Sequence, residues 1–186
     1  MAKVYEFIAN GSEEIEALTV VDVLRRAGVD IETVSITGKS EAILSHGVKI
    51  QCDTTIEDAD LSDADMLLLP GGLPGATNLN EHSAVRDAML KQYQAGKKVG
   101  AICAAPLVLG SLGILEGKNA TCYPGFENQM TGATYTADIF TVDGNVITGC
   151  GPAATLPYSY AILEMLGYGE QAEALREGMM FNRLIG

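Results

Sequence analysis

Three short apolar runs, each cut off by a turn, constrain this chain more than anything else in it. VYEFIA (4–9) stops at Asn10-Gly11-Ser12, ADMLLLPGG (64–72) carries its own Pro-Gly-Gly stop, and KKVGAIC (97–103) ends on a cysteine followed by two alanines. Runs of this length with turn signals at the end read as strands buried on both faces. Strands buried on both faces need helices above and below them, which is the habit of a parallel sheet. The intervening segments supply those helices. EEIEALTVVDVLRRAG places Ile15, Leu18 and Val21 at helical spacing, with acids at its start, Arg25 and Arg26 at its end and Gly28 as its stop. HSAVRDAMLKQYQAG (82–96), AAPLVLGSLG (104–113), GPAATLPYSYAILEMLG (151–167) and EQAEALREGMMF (170–181) read as further helices. VDIETVSI (29–36) alternates as a strand, GKSEAILSHGVKIQCD reads as a hairpin, and FTVDGNVIT reads as another through Asp143-Gly144. The expected fold is α/β, a mostly parallel sheet covered on both faces. In such sheets ligands gather at the carboxyl ends of the strands.

At 186 residues and 47% apolar content, the chain fits one domain spanning 1–186 with a substantial core. Its formal net charge of −12 argues against nucleic acid or an anionic membrane as partner, since both need a basic footprint. No apolar run reaches the roughly 18 residues of a membrane helix, and the N-terminus reads as a strand, not a signal peptide. Cysteines at 52, 103, 122 and 150 form no C-x-x-C pair, and with two histidines they make no metal motif. Reduced thiols in a cytoplasm are expected. Gly38-Lys39-Ser40 imitates the end of a phosphate loop, but Thr33 stands where the loop's first glycine belongs.

Cys103 sits where a buried strand meets a helix-forming run, with Ala101 and Ala105 two positions to either side. Small neighbours at that spacing are what a nucleophile elbow needs. A helix starting near Ala104 would lower the thiol pKa from about 8.5. The Ala104 N–H, with a second from the Pro70-Gly71-Gly72 turn, would face an oxyanion. The plainer alternative is a small buried filler. For an acid/base partner, neither His46, in a hairpin, nor His82, at a helix start, follows a buried strand. Glu16 is the better candidate among Glu13, Glu14 and Glu16, because it lies toward the apolar side of the first helical turn. A carboxyl buried beside a thiol has its pKa raised and can donate to the sulfur or shuttle a proton. Cys52 and Cys122 read as packing. Tyr123, before Pro124, and Cys150, before a Gly-Pro helix start, are candidates to line the same rim.

GSEEIEALTVVDVLRRAG, LLLPGGLPGATNL, GAICAAPLVL and ITGCGPAAT together resemble the ThiJ/PfpI superfamily, in order over nearly the whole chain. Within it they are most similar to the branch of the parkinsonism-associated protein deglycase and its bacterial relatives. The resemblance implies a flavodoxin-like three-layer sandwich with a small β-hairpin, a homodimer, and an oxidisable elbow cysteine held by a protonated glutamate. It assigns those roles to Cys103 and Glu16, with oxyanion N–H groups at Gly72 and Ala104 and with Gly71, Tyr123, Cys150 and His46 as possible lining. It implies no cofactor and no metal. The partner it implies is a small reactive carbonyl, through glyoxalase or deglycase chemistry, with oxidative-stress sensing or chaperoning as the alternative. Three departures stand out. Ala104 replaces the histidine of the protease branch, which argues against peptidase activity. Tyr123 stands where deglycases often carry histidine, and Cys150 where many relatives carry arginine.

Overall fold

The computed structural model describes residues 1–184; the last two positions of the expected 1–186 domain lie outside them. In chain order the elements are β1 (Lys3–Ile8), α1 (Glu14–Arg26), β2 (Asp30–Ser35), β3 (Glu41–Ile43), β4 (Lys49–Gln51), β5 (Thr54–Thr55) and β6 (Met66–Leu69). Then follow α2 (Gly75–Glu81), α3 (Ser83–Gln94), β7 (Lys98–Ile102), α4 (Pro106–Ser111), β8 (Asn119–Ala120) and β9 (Thr134–Tyr135). The hairpin of β10 (Phe140–Asp143) and β11 (Val146–Gly149) precedes α5 (Thr155–Met165) and α6 (Gly169–Gly178).

A seven-stranded sheet runs in the order β10-β11-β7-β6-β1-β2-β5. All its pairings are parallel except β10 with β11. The expected buried runs hold the middle: every residue of β6 is buried, as are Val4, Phe7 and Ile8 of β1 and Val99, Ala101 and Ile102 of β7. At about 25 cal/mol per Å² of apolar surface, each such Leu, Ile or Phe contributes roughly 1.5–3 kcal/mol relative to exposure. The 38–53 segment forms the separate antiparallel pair β3–β4.

Two local expectations are corrected. The helix expected from Ala104 begins at Pro106, and residues 103–105 form a turn instead. Proline suits a first helical position because it has no N–H to lose, and the Ala105 N–H is spent on the Ile102 carbonyl at 3.0 Å. A helix missed in the sequence, α2, follows Pro-Gly-Gly directly, its polar GATNLNE giving no apolar period to read.

Candidate active site

The corner at the end of β7 is strained. Cys103 has φ 64, in the left-handed region that a non-glycine residue enters at a cost of about 1–2 kcal/mol. Its N–H donates to the Gly149 carbonyl on β11 (2.8 Å), and its own carbonyl accepts from the Tyr123 N–H (2.8 Å). The backbone is thus pinned from both neighbouring segments, and only 8% of the residue is exposed.

Three glutamates at the start of α1 take three different positions. Glu13 caps the helix, its Oε2 accepting from the Glu16 N–H at 2.8 Å. Glu14 turns outward to the hairpin, accepting from the His46 N–H (2.6 Å) and the Ser45 hydroxyl (2.7 Å) and pairing with His46 Nδ1 (2.8 Å). Those contacts hold Glu14 at about 2, against the opposing effect of burial. Glu16 points inward and is fully buried. Its Oε2 accepts from the Gly71 N–H at 2.8 Å, while Oε1 has no hydrogen-bond partner.

Gly71 makes this arrangement possible. A Cβ there would stand 2.6 Å from the Cys103 Cβ and 2.6 Å from Glu16 Oε2. Any side chain would enter the space in which thiol and carboxyl meet. The N–H groups of Gly72 and Ala104 lie near enough to the sulfur to favour its anion.

Burial raises the Glu16 pKa from 4.5 to about 7, partly offset by the Cys103 and Gly71 contacts. Burial also pushes the Cys103 thiol up, the neighbouring carboxyl adding to it, while the Gly72 and Ala104 N–H groups pull the other way. This corrects the expectation of a thiol acidified by a helix: no helix of useful length begins at Ala104, and the sulfur lies in a low-dielectric pocket beside an acid. A protonated Glu16 removes the repulsion and leaves an O–H for the sulfur.

Of the other predicted residues, Cys150 lies half-buried at the end of β11, near enough for Glu16 to bear on its thiol. Tyr123 is 47% exposed, its ring 3.2 Å from where a Gly151 Cβ would be. His46 is exposed in the hairpin, bound to Glu14 and not to Cys103, so within this chain it is outside the site. Among the described residues, Glu13, Glu14 and His46 form the one group spaced as metal ligands are, with Glu14 and His46 paired to each other and Glu13 capping α1. The sequence reading also passed over Glu6, an acid in the middle of β1 that is 1% exposed. Its signal was plain: a carboxylate inside a strand buried on both faces.

The family model described as DJ-1/PfpI matches residues 2–165. Protein DJ-1 homolog B and Protein DJ-1 homolog A of Arabidopsis thaliana are each 38% identical over 89% of this chain, which spans only 38% and 43% of their respective lengths. The Caenorhabditis elegans protein named glutathione-independent glyoxalase DJR-1.2 is 30% identical over 88% of both chains. The solved structure described as Toxoplasma gondii DJ-1, oxidized, superposes with a TM-score of 0.93 at 30% identity, covering 97% of this chain and 98% of its own.

Proposed function

This chain belongs to the DJ-1/PfpI family, and from that premise we propose that it is a cofactor-independent glyoxalase or deglycase acting on small 2-oxoaldehydes or their adducts. The observation that carries the reading is the fully buried carboxyl of Glu16 meeting an elbow thiol across the missing side chain of Gly71. With methylglyoxal, Cys103 attacks the aldehyde carbon as its thiolate, its own proton already released to water while Glu16 keeps its proton. The C=O π bond opens, its oxygen takes the Glu16 proton, and a hemithioacetal forms. Gly72 and Ala104 N–H groups hold the oxygen while it is negative. Glu16, now a carboxylate, removes the hydrogen from that carbon, and the resulting enediol is reprotonated at the next carbon. The product is a lactoyl thioester. Water cleaves its C–S bond, releasing lactate and restoring the thiol.

Tyr123 supports a second reading. It offers no imidazole base, and sensing needs none. In that reading two equivalents of a hydroperoxide oxidise Cys103 to a sulfinic acid, each losing its O–O bond and leaving as water or alcohol. Glu16 Oε1, which lacks a partner, then donates to a sulfinate oxygen. Incubation with methylglyoxal separates the two. Lactate formation abolished by both Cys103→Ser and Glu16→Gln supports the enzyme. No lactate, with mild peroxide adding two oxygens at Cys103 alone, supports the sensor.

Residues 1–186 act as one domain. Ile15 (52% exposed) and Leu18 (39%) stand with Leu156 and Met179 along an apolar cleft between α1 and the start of α5. A second copy of the chain is the partner proposed for it. Glu14 also lines this cleft, so its partner His46 stands at the rim, where a copy could approach it. No described helix is long and apolar enough to cross a membrane. Four free cysteines fit a reducing, cytoplasmic setting.

A further inference from the structure

Glu6 lies opposite Thr33 on β2 and Leu68 on β6, and Leu68 in turn lies opposite Gly100 on β7. Partners in parallel register point to the same side of a sheet. Glu6, Leu68 and Gly100 therefore form one row on one face. A Cβ at Gly100 would stand 2.7 Å from the hydroxyl oxygen of Tyr158, so the space left by that glycine is where the α5 tyrosine ends. α1, which carries Glu16, packs against α5. Glu6 and Tyr158 are both buried to within 1% of completely.

Three oxygens around this row are buried without a hydrogen-bond partner: Glu6 Oε2, Glu16 Oε1 and the Tyr158 hydroxyl. One orphan is an oddity. Three on two acids and a phenol that bear on one another electrostatically point to a shared need, and internal water bridging such groups is how proteins satisfy them. A leucine at position 6 and a phenylalanine at 158 would fill the same volume with no polar group to satisfy. We propose that Glu6 and Tyr158 form, with Glu16, a water-bridged proton relay beneath the Cys103 thiol, in which Glu6 is a positioning residue for the proton that Glu16 carries. The proposal rests on Glu16 being the acid/base group of the site.

The titratable groups bearing on Glu6 are Glu16 from α1, Tyr158 from α5 and Cys52 beyond β4, none of them a cation. Burial and Glu16 together push Glu6 well above its ordinary range. Burial thus favours the neutral acid form of Glu6, and Tyr158, pushed up by burial and by both carboxyls, is a phenol. Each can donate. When Glu16 ionises, neutral Glu6 donates to it through water and Tyr158 donates to Glu6. Each transfer moves one proton along the row and leaves their number unchanged.

The test needs no substrate. Infrared spectra of the intact protein at pH 8 should show the C=O stretch of a protonated carboxyl group, lost in Glu6→Gln and displaced in Tyr158→Phe. The pH midpoint for alkylation of Cys103 by iodoacetamide should rise in Glu6→Leu by roughly half a pKa unit or more, the size of one hydrogen bond lost to the Glu16 carboxylate. No protonated-carboxyl band at pH 8 in the unaltered protein overturns the relay, whether or not the variants fold. So does a band indifferent to Tyr158→Phe together with an unmoved midpoint. Failure to turn over methylglyoxal with both shifts present would sink the glyoxalase reading and leave the relay standing.

Discussion

Replacing Glu16 by glutamine tests the site through stability as well as through chemistry. The amide oxygen can keep the bond from the Gly71 N–H, and the NH2 can face the sulfur as the protonated acid would. The variant therefore fixes the protonated form in shape and charge. In the native protein Glu16 titrates near 7, against 4.5 in an open chain. Below pH 4.5 both states hold the proton and Glu16 adds no pH dependence. Between 4.5 and 7 the unfolded chain has released a proton that the folded protein retains. Stability therefore falls as pH rises, and the full penalty is reached above 7. The gap of 7 minus 4.5 is worth about 3 kcal/mol at 1.36 kcal/mol per unit. Glu16→Gln should escape that loss and melt roughly 10 °C higher than the parent at pH 8, with little difference at pH 4.5. Urea titrations or melting curves from pH 4.5 to 8.5 on both proteins would measure it. Glu6 shifts in the same direction; its burial is common to both proteins, and losing the Glu16 charge relieves part of its shift, which adds to the advantage of the variant at high pH. Parallel curves across the whole range would mean that Glu16 titrates like an ordinary surface acid, and the buried-acid argument would fail.

Gly71→Ala should cost about 1–3 kcal/mol of stability, since its Cβ would meet two atoms at 2.6 Å. It should also slow alkylation of Cys103 and abolish any lactate formation, whereas Gly113→Ala, whose Cβ would meet nothing within 4 Å, should pay only the conformational cost and leave the thiol as reactive as before. Leu18→Asp should leave the fold intact and shift the protein to monomer in sedimentation velocity, because it puts a charge into the cleft proposed to receive a second copy. An unchanged sedimentation coefficient for a dimeric parent would move the interface elsewhere.

The order of elements was legible because it rests on period and punctuation, which a sequence displays openly. The β6 run Met66–Leu69 and the stop at Gly71-Gly72 needed nothing else. What stayed hidden depended on backbone direction. Ala104 and Ala105 have strong helical propensity, yet the pinning of Cys103 by Gly149 and Tyr123 spends the first three positions on a turn. That is a tertiary cost no local pattern carries, and it removed the helix start at Ala104, while burial beside Glu16 pushed the thiol up. The place of His46 was hidden for a different reason. Its pairing with Glu14 joins a hairpin to a helix start, 32 residues apart.

The reversal changes how the proposed nucleophile must be understood. A thiol acidified by a helix would be an anion on its own, and Glu16 would be a separate acid. Here both groups are pushed up by the same burial, so an anion on either one discourages an anion on the other. As pH passes 7 the pair gives up a single proton, chiefly from the carboxyl, and the sulfur carries the charge in the smaller share. Only the sulfur form attacks a carbonyl or a peroxide, and the Gly72 and Ala104 N–H groups favour it by pulling the thiol down against burial. Glu16→Gln removes the carboxylate alternative, so in that variant the remaining anion must form on Cys103. Its alkylation midpoint should then be set by burial against two N–H donors, with the coupling to Glu16 gone. A midpoint unchanged from the parent would show that the two groups do not share a proton, and would leave the acid beside the sulfur without a chemical role.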